Sequence, residues 1–287
     1  MNVGCNSFVL GDDRLRFYQS SRTGAGSPAL PYALLLGMGA IWGLAVSTGK
    51  LAGLAGGHPL GIALSQVCVS GLLLGVITAV RFPLSWPRGS VLTFSTFCGG
   101  CGVAFPAYAL FTAALHLPAG VVAIAFASMP LFTYILSALF RVEPLSTRRL
   151  VGVTIGLGAM ALIIIPDQAL PGTNQAPWIL LCLAASVSMS IENVYAGGMR
   201  PTSISSIQLS LGRQLGAVIW LLPLVVFTGT AVPIFVPWGV LQWSAMATGI
   251  ISGTAFTTLL YVIHTSGPVF ASQTAYIITL AGEAQLD

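Results

Sequence analysis

Charged side chains are scarce in this 287-residue chain, because Asp, Glu, Lys and Arg together make up 6% of it. A soluble domain carries about 25% charged residues. Apolar residues make up 55%, and the mean hydropathy is +0.90. A chain this apolar cannot cover itself with a polar surface, so lipid must be its solvent. The composition excludes an ordinary soluble protein, and the net charge of +4 does not indicate nucleic-acid binding.

The sequence also lacks the residue clusters that a membrane enzyme needs. Its three histidines lie near the ends of apolar runs, and a single carboxylate, Glu192, lies within one. No nucleotide-binding loop occurs. Cys98-Gly-Gly-Cys101 has a redox or metal spacing, but no His or carboxylate is near it in sequence, so we interpret it as small residues that allow close packing. We therefore expect a protein that is not an enzyme and that uses no cofactor or metal.

The chain does contain long apolar runs. A bilayer core of roughly 30 Å needs about 20 apolar residues in a helix. Eight runs are long enough, at 31–54, 60–80, 92–115, 119–140, 149–165, 177–198, 204–227 and 239–263. A ninth run, 268–281, is apolar but too short to cross. The runs are continuous and rich in Leu, Ala and Gly, which favours helices over the alternating segments of a β-barrel.

Positive charge lies almost entirely on one side of this arrangement. Nine of the eleven Lys and Arg residues occupy the N-terminal segment and the even-numbered loops, namely Arg14, Arg16, Arg22, Arg81, Arg88, Arg141, Arg148, Arg149 and Arg200. Short loops rich in Lys and Arg stay in the cytoplasm, so the N-terminus is predicted to be cytoplasmic. Residues 1–28 carry charges and lack an apolar core, which predicts a flexible cytoplasmic tail rather than a signal peptide.

The chain also contains a weak internal repeat. Gly102-Val-Ala-Phe105 corresponds to Gly253-Thr-Ala-Phe256, and Pro118 corresponds to Pro268. The second copy follows the first by 150 or 151 residues. Because each unit has five spans, an odd number, the second unit enters the membrane upside down. Inverted repeats of this kind are typical of secondary transporters, which bind substrate near the midplane between the two units.

An ordered series of residues runs through 31–282. It comprises Ile41-Trp42-Gly43 with Lys50, Ala119-Gly120 with Met129-Pro130, Glu143, Gly152, Gly156, Gly158, Asn193-Val-Tyr195, Leu222-Pro223-Leu224, and Phe270-Ala-Ser272 with Tyr276. On this series the chain resembles the ten-span EamA-type proteins of the drug/metabolite transporter superfamily. The resemblance implies a secondary transporter that exports or exchanges a small metabolite across the bacterial inner membrane by alternating access, with both termini cytoplasmic.

The chain departs from that pattern at its C-terminal end. We expect an all-α membrane protein built as an inverted repeat of five-helix units, with eight full transmembrane helices, a short ninth and a missing tenth. The expected units are 1–28 as a tail, 29–166 as the first repeat and 175–287 as an incomplete second repeat. An inactive remnant or an accessory membrane protein is therefore the alternative to a transporter. Without a tenth span, the packing face of the fifth span is expected to stay open to lipid. This open face is expected to favour association into a homodimer.

Three ionisable residues lie within spans: Lys50, Glu192 and Arg213. A buried charge costs about 2.5–3.5 kcal/mol on insertion scales, so each is a candidate for function. Glu192 and Arg213 lie about 14 and 18 Å from the turn at Pro201 that joins their antiparallel spans. We therefore predict that they pair, either as a structural ion pair or as a site for an anionic substrate or a proton. Lys50 either snorkels to the outer interface or lines an outer vestibule.

The remaining candidates are amides and aromatic rings at span depth, which either pack against neighbouring helices or contact a substrate. They are Gln66, Asn193, Gln214, Trp42, Tyr108, Tyr195 and Tyr276. Prolines at 106, 130 and 223 also lie within spans, where they are expected to kink their helices. Kinks beside a cavity are plausible hinges for a transporter.

Overall fold

The computed structural model describes residues 29–81, 89–143, 146–164, 175–201 and 204–283, and the regular structure in these ranges is entirely helical. The helices are α1 Leu30–Leu54, α2 Pro59–Arg81, α3 Ser90–Gly99, α4 Phe105–Ala114, α5 Ala119–Ala127, α6 Met129–Leu139, α7 Thr147–Ile164, α8 Ala176–Met199, α9 Ser206–Thr228, α10 Val240–Ser266, α11 Pro268–Ser272 and α12 Thr274–Glu283. A π-helical segment, Gly100–Ala104, joins α3 to α4. The predicted all-α class is confirmed, and the predicted tail 1–28 lies outside the described residues.

Seven helical stretches within the described ranges are long and apolar enough to cross a membrane. They are α1, α2, the composite Ser90–Ala114, the composite Val121–Leu139, α8, α9 and α10. The chain is therefore a multi-pass membrane protein. The predicted fifth span coincides with α7, and its crossing stays a prediction. The short stretch at 268–281 forms α11 and α12, which are separated at Gln273.

Two of the spans are interrupted just before a proline. The π-helical segment precedes Pro106, and α5 ends at Ala127, three residues before Pro130. Proline has no backbone N–H and its ring crowds the preceding turn, so regular helical hydrogen bonding is weakest there. Pro223 lies within a continuous helix, α9.

Serine hydroxyls on α8 hydrogen-bond to backbone carbonyls at these two interruptions. Ser188 donates to the carbonyl of Cys101 in the π-helical segment, at 2.7 Å. Ser186 and Ser190 donate to the carbonyls of Ala125 and Met129, at 2.9 and 3.0 Å. Lipid offers no hydrogen bonds, so interrupted spans need such side-chain donors. These contacts fix α8, the helix that carries Glu192, against the third and fourth spans.

The two halves of the chain are interleaved rather than placed side by side. α1 packs against α10 and α12, and α2 packs against α9 and α10. In the other direction, α8 packs against α4, α5 and α6, and α9 packs against α3. The first two helices of each half therefore find their main partners in the other half.

Candidate functional site

A cavity of about 120 Å³ lies between the two halves of the bundle. Its lining comes mainly from α1, α2, α4, α5, α10 and the π-helical segment. Lys50, four residues before the end of α1, and Ala114, the last residue of α4, both line it. The cavity therefore extends toward the side on which α1 and α4 end, which the distribution of positive charge predicts to face outward.

The polar lining residues lie together on α1, α2 and α10. This polar wall consists of Ser47, Lys50, Gln66, Thr248 and Ser252. Lys50, Gln66 and Trp42 were candidates from sequence, and the structure brings all three to the cavity. Thr248 and Ser252 were missed, although they recur at four-residue spacing along α10, a spacing that places residues on one helical face.

The lining residues that come from the third and fourth spans are uniformly apolar. This apolar wall consists of Val103, Pro106, Ala107, Leu110, Phe111, Val122, Ala123 and Phe126. These residues come from the π-helical segment, α4 and α5, so the interrupted third and fourth spans build it. The lining is thus mostly hydrocarbon with a few polar side chains, which is the usual construction of a small-molecule site.

Two aromatic side chains connect the cavity to a buried cation. Trp42 and Phe256 both line the cavity and meet edge to face, with ring centroids 4.8 Å apart. The Arg213 guanidinium carbon lies 4.9 Å from the Phe256 ring centroid, within the range of a cation–π contact. Arg213 itself is fully buried behind the lining.

The predicted pairing of Glu192 with Arg213 is confirmed. Arg213 Nη2 lies 3.2 Å from Glu192 Oε1, and neither side chain has any exposed area. Arg213 Nε and Nη1 have no hydrogen-bond partner among the described residues. The pair is therefore electrically compensated but has hydrogen-bonding capacity left over. Whether it binds substrate or a proton stays a prediction.

Gly102 separates this ion pair from the cavity. Gly102 lines the cavity, and a Cβ built on it would lie 2.5 Å from Glu192 Cγ and 2.7 Å from Cδ. No side chain would fit between them without moving the glutamate. The carboxylate of Glu192 thus lies directly behind a glycine in the cavity lining, one residue layer from the space itself.

One residue of the cysteine pair, Cys98, lies near a carboxylate that is distant from it in sequence. Cys98 and Cys101 are free thiols, and Cys98 is fully buried, as the packing interpretation requires. In the fold, the Cys98 thiol lies next to the Glu192 carboxylate. Glu192 is remote in sequence and reaches Cys98 through the packing of α8 against α3. The described residues contain no group of three or more His, Cys, Asp or Glu that could hold a metal ion.

Two of the predicted amides lie behind the cavity rather than on it. Asn193 and Gln214 are fully buried and do not line the space. The Asn193 amide nitrogen is 4.0 Å from the Met129 sulfur, and its oxygen has no hydrogen-bond partner in the described part of the chain. Neither polar atom of the Gln214 amide has one either. Both amides adjoin the Glu192–Arg213 pair in sequence.

The three predicted tyrosines lie away from the cavity lining. Tyr195 stacks on Phe94, with centroids 5.7 Å apart, and touches Phe97. The Tyr276 hydroxyl donates to the carbonyl of Val153 at 2.9 Å, which ties α12 to α7. Tyr108 is half-buried on α4. The contacts of Tyr195 and Tyr276 are those of packing residues, and a role in substrate stacking stays a prediction for all three.

At the end of the bundle opposite to the ends of α1 and α4, Glu143 connects the two halves. Its Oε1 accepts a hydrogen bond from the backbone N–H of Val269, at 3.3 Å, in the first turn of α11. The same carboxylate forms an ion pair with Arg149. The sequence motifs included Glu143 without a role, because the backbone N–H that it accepts from lies 126 residues away.

This fold and site define a class: a polytopic helical membrane protein with a small, two-sided cavity between interleaved halves. Residues 29–165 match the EamA-like transporter family. The resemblance to this family that the sequence motifs indicated is therefore confirmed over residues 29–165.

Two known proteins are similar to this chain. A probable terminal-alkyne amino-acid exporter of Streptantibioticus cattleyicolor is 25% identical over 174 residues, which are 60% of this chain and 56% of that protein. The match thus spans little more than half of the relative's length. A protein of known crystal structure superposes with a TM-score of 0.70, at 18% identity over 89% of this chain and 86% of its own. At that identity the likeness shows the fold alone.

Proposed function

We propose that the protein is a secondary transporter that exports or exchanges a small metabolite through the cavity between its halves. The observation that carries this proposal is the cavity itself, with a polar wall, an apolar wall and an ion pair behind its lining. Its volume of about 120 Å³ is well below the roughly 300–1,000 Å³ of pockets for drug-sized ligands. A small solute is the size of substrate that fits.

The proposed mechanism is alternating access between two inverted repeats, 29–166 and 175–287. The reciprocal packing of α1 with α10 and of α8 with α4 supports the repeat, because equivalent helices then make equivalent contacts. The interruption of the fourth span at Ser128 and the break between α11 and α12 at Gln273 support it as well. Broken helices beside a central site are common in transporters with inverted repeats.

One relative and the distribution of charge support the proposed direction and location. The relative from Streptantibioticus cattleyicolor carries the name of an exporter, which supports outward movement of substrate. The positive charge in the even-numbered loops supports a cytoplasmic N-terminus in a bacterial inner membrane.

Metabolite release from producing cells tests this proposal. At equal membrane abundance, Ala107→Trp should abolish the release seen with the unchanged protein, because Ala107 lies on the apolar wall and a larger ring fills the cavity. Leu72→Trp is the matched control, since Leu72 is 72% exposed on the bundle exterior and should leave release unchanged. The measurement compares small metabolites in the medium of cells with each variant and with none. No metabolite that responds to the unchanged protein, or equal release with Ala107→Trp, would contradict transport through this cavity.

A further inference from the structure

A groove on the outside of the bundle lies between α2 and α9, and it shares no lining residue with the central cavity. It is lined by Val76, Ile77, Val80, Arg81 and Ile207. Four of these residues come from the last six of α2, and Ile207 lies in the first turn of α9. The groove is therefore at the end of the bundle that the distribution of positive charge predicts to be cytoplasmic.

The walls of this groove are hydrocarbon. Val76 and Val80 are exposed and lie one turn apart, so they share a face of α2. Ile77 and Ile207 are half-buried beside them. On the outer surface of a multi-pass membrane protein, exposed hydrocarbon of this kind contacts the acyl chains of lipids. The groove thus offers a lipid chain two helices to lie between.

Arg81 adds a positive charge where α2 ends. Its side chain is exposed and forms no salt bridge within the ranges that the structure describes. The sequence has no Asp or Glu from residue 14 to residue 142, a stretch that includes all of α2. It has none from 193 to 282 either, a stretch that includes all of α9. The counter-charge of Arg81 must therefore come from outside the two helices that form the groove.

A second arginine increases the positive potential at the same corner. Arg200 donates from Nη2 to the hydroxyl of Ser206, at 3.1 Å, and from Nη1 to the carbonyl of Leu260, at 3.3 Å. Ser206 is the first residue of α9 and precedes Ile207 of the groove. Both acceptors are neutral, so these hydrogen bonds hold Arg200 in place without cancelling its charge. The N-terminal end of the α9 dipole adds to the same potential.

Hydrocarbon walls below a cation are complementary to an anionic amphiphile. A phosphate accepts two parallel hydrogen bonds from a guanidinium group, which makes arginine a strong phosphate ligand. Val76 lies five residues before Arg81, about 7.5 Å along the helix axis, where the first part of an acyl chain would follow the headgroup. A zwitterionic headgroup would bring its own ammonium near two arginines, and that repulsion disfavours it. A soluble phosphate would leave the hydrocarbon walls unused.

We propose that this groove is a binding site for an anionic phospholipid of the leaflet in which α2 ends. The phosphate binds Arg81, an acyl chain lies against Val76, Val80 and Ile207, and Arg200 adds long-range attraction. Basic pockets between transmembrane helices on the cytoplasmic side are a known way to hold anionic headgroups. A lipid bound here contacts one helix from each half of the chain. The inference concerns the outer surface and does not depend on what the central cavity carries.

Native mass spectrometry of the purified full-length chain in detergent tests the assignment. Phosphatidylglycerol and phosphatidylcholine with identical acyl chains are titrated separately, and the retained lipid is counted. Phosphatidylglycerol should bind at least about fivefold more tightly, the effect of one basic residue near an anionic headgroup. An excess of glycerol 3-phosphate should not displace it. Equal binding of the two lipids, or displacement by glycerol 3-phosphate, would overturn the proposal.

Charge substitutions assign the headgroup to a residue. Arg81→Gln should remove the preference for phosphatidylglycerol, and Arg81→Lys should retain most of it. Arg148→Gln is the matched control, because Arg148 is an exposed arginine at the start of α7, on the same predicted side and outside the groove. It should keep the full preference. An equal loss with Arg148→Gln would show attraction to basic surface in general and overturn the site.

A substitution in the hydrocarbon wall tests the acyl chain separately. Val76→Trp should weaken phosphatidylglycerol binding by about fourfold or more, the effect of displacing one methylene group from the groove. Leu72→Trp, exposed on the same helix but outside the groove, should leave binding unchanged. Equal binding by both variants would mean that no chain lies in the groove, and the proposal would fail.

The acidic pair in the N-terminal segment is the competing source of counter-charge. Replacing Asp12 and Asp13 together by Asn should leave phosphatidylglycerol binding unchanged. Tighter binding by this double variant would identify the N-terminal segment as the occupant of the site and overturn the lipid assignment.

Discussion

At the scale of single residues, Glu192 and Arg213 carry the largest electrostatic consequences. Both side chains are fully buried, and a buried ion loses several kcal/mol of hydration energy. Their mutual attraction at 3.2 Å offsets part of that loss, and the Phe256 ring offsets a further part for Arg213. Neither residue can be neutralised alone without leaving the other as an unpaired buried charge.

We therefore expect Glu192→Gln to lower the free energy of unfolding by about 3–5 kcal/mol, because Arg213 loses its counter-charge. Arg213→Gln should have a similar effect for the converse reason. The double variant should be more stable than the sum of the two single losses predicts, since no charge is left unpaired. Thermal unfolding of the purified variants in detergent measures this. Single losses that simply add would contradict a direct interaction.

The sequence was sufficient to predict this pair and to select Trp42, Lys50 and Gln66, but it did not predict the rest of the cavity lining. Glu192 and Arg213 flank one short turn between antiparallel helices, so their depths can be compared by counting residues. Thr248 and Ser252 offered no such signal, because hydroxyls in spans usually bond to their own helix, as Thr248 does to Ser244 at 2.8 Å. The contact of Cys98 with Glu192 depends on which helices are neighbours, and residue counting along one chain does not reveal that.

At the scale of helices, α3 and α9 cross at a distance that only glycine permits. A Cβ on Gly216 would lie 2.7 Å from the carbonyl carbon of Ser95 and 2.9 Å from Thr96 Cα. A Cβ on Gly99 would lie 2.6 Å from the carbonyl carbon of Gly216. These obstacles are backbone atoms, which cannot rotate away as a flexible side chain would. The crossing also carries Arg213, so its spacing affects the ion pair.

Gly216→Ala should therefore destabilise the protein by at least about 1–3 kcal/mol, the usual effect of overpacking a close contact. Gly152→Ala is the matched control, because it lies in helix α7 with nothing within 4 Å of the added Cβ. There the gain in helix propensity should stabilise the protein by about 0.5–1 kcal/mol or leave it unchanged. Unfolding midpoints in detergent compare the two. Equal midpoints would show that α3 and α9 can separate freely.

Helix positions were the part of the fold most accessible from sequence. Lipid favours helices for spanning segments, so seven of the predicted runs coincide with helical stretches that are long and apolar enough to cross. Proline marked the interruptions before Pro106 and Pro130, since it cannot donate a backbone hydrogen bond. The sequence did not predict the interleaving of the halves. Apolar helix faces resemble one another, so they do not specify which helix packs against them.

At the scale of the whole molecule, the two ends of the bundle differ in their connections. The cavity extends toward the ends of α1 and α4. At the opposite end, Glu143 connects the end of α6 to Val269 at the start of α11, and Arg200 connects α8 to the carbonyl of Leu260 on α10 at 3.3 Å. In the proposed mechanism, this structure is therefore closed on the side predicted to be cytoplasmic. The binding cavity extends toward the other side.

This arrangement predicts from which side of the membrane a water-soluble reagent can reach the cavity. In a background without the native cysteines, Ala176→Cys at the start of α8 should react with an impermeant thiol reagent added to intact cells, and Ser90→Cys at the start of α3 should react only after permeabilisation. Both positions are exposed. Ala114→Cys on the cavity lining should follow Ala176→Cys, because α4 ends on the side where α8 begins. The physical basis is the cost of moving Lys and Arg across the membrane, which keeps their loops inside. Labelling of Ser90→Cys but not Ala176→Cys in intact cells would reverse the topology and turn the cavity toward the cytoplasm.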